Sequence, residues 1–216
     1  GLLQSVAQGG NETLVNCVQY QETDYDFVAR LLEQEGIFYF FAHEENRHVL
    51  VLCDSAEQIQ PIPGTDGVEM WHGGAATDGP EERVNSWEVS RSFLPGKYAM
   101  TDYNFQDPST DLAVDMESTV GLEGADKFEI FEYPGDYVNL GAEGEAKLAK
   151  GDGRVKLRQE EGDARYTLAV GTGTVRAMIP GYSFNLMGHS VGEFNDGWMV
   201  VQVEHEISEG GSLAAG

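Results

Sequence analysis

The sequence predicts an α+β fold that is mainly β with some α, on three observations. Residues 20–41 combine a capped amphipathic helix with an aromatic strand that follows it at once. Short apolar segments with a period of two recur along the chain, separated by turn signals such as Pro95-Gly96 and Pro134-Gly135. One segment, near 142–165, has instead the alanines, leucines and charges of a helix.

The first helix is marked at both ends. Thr23 suits the N-cap position, with Asp26 three residues on as in a capping box, and Asp24 is an anion where the helix dipole favours one. Gly36 supplies the left-handed residue that ends the helix. The apolar stripe between these ends consists of Phe27, Val28, Leu31 and Leu32.

The strand that follows, Ile37–Phe41, has an apolar or aromatic side chain at every position. Such a strand needs cover on both faces, which the helix and a barrel interior or another subunit would supply. A polar loop, 43–47, leads to a second apolar strand, 48–52, so the chain is predicted to form a hairpin here.

The loop-rich segment 60–80 predicts a division of the chain into a helix-and-hairpin part, 1–80, and a second part, 81–216. Within the second part the helix near 142–165 contains four glycines, each of which weakens a helix by about 1 kcal/mol relative to alanine, so it is expected to be broken or to start late. Strands are predicted at 84–92, 97–105, 127–132, 174–178, 182–187 and 197–207. The second part is therefore expected to be a mainly antiparallel β-barrel interrupted by one helix.

A longer motif runs through the first helix and strand. It consists of Glu22, Thr23, Asp24, Phe27, Arg30, Leu31, Leu32, Glu35, Gly36, Ile37, Tyr39 and Phe41. Further matching segments follow at 51–54, 133–137, 179–189 and 200–205. On these motifs nearly the whole chain resembles the VgrG family, the spike proteins of type VI secretion systems, and through it the baseplate hub of contractile-tailed phages.

The resemblance implies phage-tail-hub-like β-barrel subdomains and a homotrimer that caps a hexameric, Hcp-like tube protein and carries secreted effectors or adaptors. It also implies assembly in the cytoplasm and ejection by contraction, out of the cell or into a target cell, without a signal peptide. An N-terminal barrel typical of the hub is expected to be missing, since the chain begins in mid-pattern, and the needle that follows in the family is likewise expected to be missing. Structural or interprotomer roles are expected for Thr23, Asp24, Phe27, Arg30, Leu31, Leu32, Gly36, Phe38, Tyr39, Phe40, Tyr133, Pro134 and Gly135.

Composition limits the classes of partner. The chain has 37 acidic and 13 basic residues, a formal net charge of -24, which repels nucleic acid and anionic lipid. No nucleic-acid partner is expected. No run approaches the roughly 20 apolar residues that span a bilayer, so no integral membrane segment is predicted. The cluster Glu160, Glu161 and Asp163 is interpreted as a solvated face.

Residues with catalytic or ligating chemistry form no recognisable pattern. The histidines lack a paired metal spacing such as His-x3-His, and Ser183 lacks the second glycine of a nucleophile elbow. The sequence therefore predicts no catalytic residue, no metal site and no cofactor. The histidines are His43, His48, His72, His189 and His205.

Two alternatives to the spike role stay open. One is the equivalent hub of a phage or prophage tail, which genomic neighbours would distinguish. The other is a hydrolase such as a cell-wall glycosidase. With 37 acidic residues, carboxylate pairs arise by chance and discriminate nothing, so turnover of peptidoglycan abolished by one carboxylate substitution would be needed to favour an enzyme.

Overall fold

The computed structural model describes residues 2–5, 17–65, 67–73, 81–138 and 145–207. These ranges form mainly β structure with some α, as the sequence predicts. The helices are α1 (Asp24–Gln34) and α2 (Glu145–Ala164). The strands are β1 (Leu2–Ser5), β2 (Phe38–Glu44), β3 (Arg47–Cys53), β4 (Val68–Glu69), β5 (Val84–Arg91), β6 (Lys97–Met100), β7 (Val114–Glu117), β8 (Glu129–Glu132), β9 (Thr167–Gly173), β10 (Ser183–Met187) and β11 (Gly197–Met199).

The chain divides into two compact units, each built from separate stretches of sequence. The first unit comprises Gly1–Val6, Tyr39–Trp87 and Val170–Gly216, and the second comprises Ala7–Phe38 and Glu88–Ala169. The division of the sequence into parts 1–80 and 81–216 stays a prediction.

The first unit contains two three-stranded sheets. One has the order β1-β3-β2, with β1 parallel to β3, and it includes the predicted hairpin. The other has the order β11-β10-β4, with β11 antiparallel and β4 parallel to β10. Alternation along β3 buries Val49, Val51 and Cys53 on one face. A hydrophobic core is formed by Ile62, Val68, Val84, Val175, Phe184, Leu186 and Val200.

The second unit is built on a sheet of order β7-β6-β8, and α2 packs on one face of it. In register, Tyr98 of β6 lies between Met116 of β7 and Ile130 of β8, so these three side chains share the face toward α2. The buried core on this face consists of Met100, Leu112, Val114, Tyr137 and Val155.

The predicted strand 97–105 is too long, since β6 ends at Met100. The chain then leaves the sheet, and the Asp102 carboxylate accepts hydrogen bonds from the backbone N–H groups of Tyr137 and Val138 at 3.1 and 3.0 Å. These contacts join residues 35 and 36 positions apart, so no local pattern reveals them.

The predicted strand 174–178 is wrong, because the strand is β9 and it ends before Thr174. The Thr174 hydroxyl donates a hydrogen bond to the Glu81 carbonyl and accepts one from the Arg83 N–H, which ties this residue into a turn contact. The strand predicted at 197–207 is restricted to β11. Its pairing partner is β10, and the residues just before β10 turn at Gly181, where φ is 87°.

The second helix, predicted to be broken or to start late, is not broken, and the predicted late start concerns residues 139–144, which lie outside the described residues. Within its described length α2 is continuous through Gly151, Gly153 and Gly162. A Cβ at Gly151 would lie only 3.0 Å from Tyr137 Cε2 and 3.1 Å from Val114 Cγ1, so glycine here lets the helix approach the sheet closely. Packing against the sheet therefore offsets the weak intrinsic helix propensity.

Strand pairing is mixed, whereas the sequence predicts mainly antiparallel pairing. β6 has one antiparallel and one parallel neighbour, and so does β10. Alternation of apolar residues identifies the face of a strand but not the direction of its partner. The described strands form four small sheets, the fourth being the pair β5-β9, and the tube-like barrel stays a prediction.

Candidate assembly surface

The residues predicted at the start of α1 form its N-terminal cap. The Thr23 hydroxyl oxygen accepts a hydrogen bond from the Asp26 N–H at 3.2 Å and donates one to the Asp26 carboxylate at 2.7 Å, so the predicted N-cap is confirmed. Asp24 follows it, exposed, in the first turn. Arg30 donates to Glu22 at 2.7 Å, and this hydrogen bond holds the pKa of Glu22 below its ordinary value.

The apolar stripe of α1 is only partly covered. Phe27, Leu31 and Leu32 are half-buried, and Val28 is 51% exposed. None of the residues of α1 is buried in the described part of the chain. The helix therefore retains apolar surface that the described residues do not cover.

The C-terminal end of α1 contacts α2 within the second unit. Gly36 has a φ of 67°, the left-handed conformation that the sequence predicts. A Cβ at this position would also lie 3.0 Å from Leu157 Cδ1 of α2. Arg158 of α2 donates a hydrogen bond to Glu33 at 3.0 Å. A close helix contact and an ion pair thus fix the end of α1.

The aromatic strand β2 has two different faces. Phe40 packs edge-to-face on Tyr182, with ring centroids 5.6 Å apart, so this ring takes part in packing inside the first unit. Tyr39 is half-buried and its ring lies edge-to-face on that of Phe41, which is 49% exposed. Phe38 is half-buried. The interprotomer role of this strand stays a prediction.

A group of exposed aromatic side chains lies on and beside β8, the terminal strand of the second unit's described sheet. We call this group the aromatic edge. It consists of Phe93 (60% exposed), Phe128 (53%), Phe131 (59%) and Tyr133 (61%). The rings of Phe93 and Phe128 pack edge-to-face at 5.4 Å, which leaves much of both rings in solvent. Exposed aromatic side chains on and beside the last strand of a sheet are typical of interaction sites.

The surroundings of Phe131 are charged. Register places Phe131 on the outer face of the sheet, away from α2, in the same cross-strand row as Asp115. The neighbouring row on this face contains Lys97, Glu117 and Glu129, and Lys97 pairs with Glu129 at 2.9 Å. Phe131 is therefore an apolar group inside a polar, mainly acidic surface.

The inner face of the same strand is held firmly. The Tyr98 hydroxyl donates a hydrogen bond to the Glu132 carboxylate at 2.5 Å, and Arg158 of α2 lies 3.8 Å from the same carboxylate. Burial, together with this hydrogen bond, raises the pKa of Tyr98 to about 12. The inner contacts fix β8 while Phe131 on its outer face stays exposed.

The predicted group Tyr133, Pro134 and Gly135 separates in space. Tyr133 and Pro134 are exposed, whereas Gly135 is buried. A Cβ at Gly135 would lie 2.6 Å from Tyr137 Cε1. The Tyr137 side chain is 1% exposed and its hydroxyl donates to the Leu112 carbonyl. Only the first two residues of the group can therefore contribute to a surface.

Asp163 differs from its interpretation as part of a solvated face. It is half-buried, and its carboxylate accepts hydrogen bonds from Ser118 Oγ at 2.7 Å, the Thr119 N–H at 2.9 Å and Gln159 Nε2 at 2.8 Å. Burial acts to raise the pKa of Asp163, but the hydrogen bonds outweigh it and hold the pKa below its ordinary value. The carboxylate joins α2 to the chain after β7.

We expect Asp163 to make the protein sensitive to acid. Because its pKa is lowered in the folded state, ionised Asp163 stabilises the fold above the ordinary range of about pH 4, and this contribution is lost as the pH falls through the folded-state pKa. Asp163→Asn should therefore reduce the loss of unfolding free energy between pH 5 and about pH 2. Urea unfolding at a series of pH values measures the unfolding free energy of each variant. Asp152→Asn, at an exposed position of α2, is the control, and parallel curves for wild type and Asp163→Asn would contradict the assignment.

No group of three or more His, Cys, Asp and Glu side chains in the described ranges is placed to hold a metal ion. The hairpin nevertheless brings two histidines together, with His43 Nδ1 and His48 Nδ1 2.9 Å apart. This pair is not apparent from the sequence, whose pattern predicts His43 in a loop, whereas β2 and β3 extend to the two-residue turn at Glu45 and Asn46. A His-x4-His spacing across such a turn was the available signal.

Comparison with known proteins gives consistent relationships. The model of the family described as "Phage tail baseplate hub (GPD)" matches residues 7–211. The "Type VI secretion system spike protein VgrG1a" of Pseudomonas aeruginosa is 34% identical over 206 residues, which cover 93% of this chain and 30% of that protein. The spike protein VgrG1c of the same organism is 34% identical over 194 residues, which cover 88% of this chain and 25% of that protein.

A third relative has a different name. The "Actin cross-linking toxin VgrG1" of Vibrio cholerae serotype O1 is 27% identical over 193 residues, which cover 88% of this chain and 16% of that protein. The chain thus spans less than a third of the length of these relatives. Neither helix of the described residues is long and apolar enough to cross a bilayer.

Proposed function

The chain belongs to the phage tail baseplate hub (GPD) family and resembles the VgrG spike proteins within it, and on that premise we propose that it is a structural hub segment of a type VI secretion spike. In this role it forms a homotrimer with tube-like barrels, caps a hexameric tube and moves outward with it when the sheath contracts. Effectors or adaptors travel with the spike. Assembly takes place in the cytoplasm, before ejection.

The aromatic edge is the observation that carries the assembly role. Its four side chains are each more than half exposed, and one of them, Phe131, lies on a strand that Tyr98, Glu132 and Arg158 hold in place from the other side. A rigid strand with exposed aromatic rings presents the low-entropy anchors that are enriched at protein interfaces. We assign this edge to contacts with a neighbouring hub subunit or with the tube.

The proposed role is mechanical and requires no catalytic group. Burial of surface between subunits supplies the binding energy, and shape complementarity selects the partner. Contact between acidic subunits, each with a formal charge of -24, is opposed by repulsion that extends further at low ionic strength. Added salt should therefore strengthen the association.

A second candidate is the equivalent hub of a contractile phage or prophage tail, and the match to the phage hub family favours it. The contacts required of the aromatic edge are the same in both machines. Sheath and ATPase genes of a secretion cluster beside this gene support the spike role, whereas tail and capsid genes support the phage role.

Phe131→Glu tests the assembly role directly. It places a charge on the exposed outer face of β8, so the unfolding free energy should change by no more than about 0.5 kcal/mol. Association into trimers and binding to the hexameric tube protein should both fall at least about tenfold, because the charge is desolvated in the interface. Light scattering and tube-protein capture measure these two effects.

Phe105→Glu is the matched control, since Phe105 is a 63% exposed phenylalanine of the same unit that lies outside β8. Its association should equal that of the wild type. Trimers and tube complexes of Phe131→Glu with unchanged affinity would show that the aromatic edge is not the assembly surface.

A further inference from the structure

Near the tip of the β2–β3 hairpin, two metal-ligating side chains lie within hydrogen-bond distance of each other. His43 and His48 face each other across the turn, with their Nδ1 atoms 2.9 Å apart and their ring planes inclined by 75°. Both side chains are exposed, so a solvated ion can reach them without any opening of the fold.

Strand alternation leaves this pair available. Glu44 and Arg47 are the next residues toward the turn, and they point to the opposite face of the hairpin, where they pair with each other at 2.5 Å. The hairpin backbone fixes the two imidazoles as cross-strand neighbours on the other face. Neither histidine is drawn away by that ion pair.

We propose that His43 and His48 form a binding site for a divalent transition-metal ion with tetragonal coordination, and that Cu²⁺ is the ion bound most tightly. Two nitrogens 2.9 Å apart, each about 2.0–2.1 Å from an ion, subtend an angle of about 90° at that ion, the cis angle of square-planar and octahedral coordination. A tetrahedral ion such as Zn²⁺ would need the two nitrogens about 3.3 Å apart. Imidazole is a good ligand for Cu²⁺, Ni²⁺ and Zn²⁺, and the Irving–Williams order places the affinity for Cu²⁺ above that for the other two.

The coordination chemistry is balanced without any other reactant. Each neutral imidazole donates the Nδ1 lone pair to the ion and keeps its proton on Nε2, while water fills the remaining positions. The strongly acidic chain also raises the local concentration of cations. The bound ion joins β2 to β3 beside their turn and so stabilises the hairpin. This site is independent of the assembly role proposed above.

The test is a titration of the untagged, EDTA-treated protein with CuCl₂, followed by calorimetry and electron paramagnetic resonance. The wild type should bind one equivalent of Cu²⁺ with a tetragonal spectrum that shows two nitrogen ligands. His43→Ala and His48→Ala should each weaken binding about tenfold or more, because either change destroys the chelate. The double variant should be no weaker than the single ones.

His205→Ala is the matched control. His205 is another exposed histidine of the first unit, with Nε2 3.0 Å from the Met178 carbonyl oxygen, and its replacement should leave copper affinity unchanged. Cu²⁺ should raise the melting temperature of the wild type and of His205→Ala, and not that of the hairpin variants. If circular dichroism shows that His43→Ala is unfolded, His43→Phe takes its place.

Equal copper affinity of the wild type and both hairpin variants would overturn the site, and so would the absence of saturable binding. Tighter binding of Zn²⁺ than of Cu²⁺ would overturn the tetragonal assignment.

Discussion

Gly181→Ala should destabilise the protein by about 3–5 kcal/mol, a large part of a typical domain's stability. Gly181 is buried with a φ of 87°, a conformation in which a side chain is strained. The new Cβ would also lie 2.5 Å from Phe40 Cδ1 and 2.6 Å from Phe40 Cδ2, inside the ring's van der Waals surface. Chemical denaturation followed by circular dichroism measures the loss.

Gly188→Ala separates the two causes of this effect. Gly188 has a similar φ of 75°, but the atom nearest to the methyl group of an alanine here, the Met70 carbonyl oxygen, would be 3.7 Å away. The variant should therefore show the backbone penalty alone, about 1–2 kcal/mol. In a double-mutant cycle, adding Phe40→Ala to Gly181→Ala should restore the part of the unfolding free energy that is lost to the clash between the new methyl group and the Phe40 ring. Equal losses for the two glycine variants would refute the packing of Phe40 against Gly181.

Tyr137→Ala should cost about 3–5 kcal/mol of unfolding free energy, the range for removal of a buried aromatic ring. Tyr137 is 1% exposed at the centre of the second unit's core, and the side of its ring meets Gly135 and Gly151. Because both neighbours are glycines, neither has a side chain that could move into the cavity left by alanine. Urea unfolding of the purified variant gives the value.

Tyr137→Phe keeps the ring and removes only the hydroxyl that donates to the Leu112 carbonyl. The unfolding free energy should fall by about 1–3 kcal/mol, since a buried acceptor loses its partner. Tyr103→Ala, at a 58% exposed position of the same unit, should change stability by about 0.5 kcal/mol or less. A loss of that small size for Tyr137→Ala would show that the ring is not part of the core.

The sequence predicts best where the cause of a structure is local. Thr23 and Gly36 act within one helical turn, so both ends of α1 can be located from the sequence, and the VgrG resemblance confirmed by the family match rests largely on this segment. The hairpin also follows from short-range alternation. Its two strands nevertheless run closer to the turn than predicted, and that difference of a few residues concealed the His43–His48 pair.

The failures have distant causes. β6 ends early beside Asp102, whose carboxylate accepts hydrogen bonds from backbone N–H groups 35 and 36 residues away. At Gly151 of α2, Tyr137 occupies the space that a side chain would take, so glycine suits this helical position. Asp163 was assigned to a solvated face because nothing nearby in sequence reveals the donors Ser118 and Thr119. The aromatic edge is not predicted, because the sequence pattern indicates a strand at 127–132 but does not show that this strand lies at the end of its sheet.

The two faces of the β7-β6-β8 sheet are free to evolve at different rates. Substitutions on the inner face at Tyr98 or Val114 alter the core and therefore the stability of the fold. Substitutions at Asp115, Glu117 or Phe131 on the outer face change exposed side chains and leave the core intact. In the assembly role proposed above, replacing a few outer-face residues would change the choice of partner and leave the underlying framework unaltered.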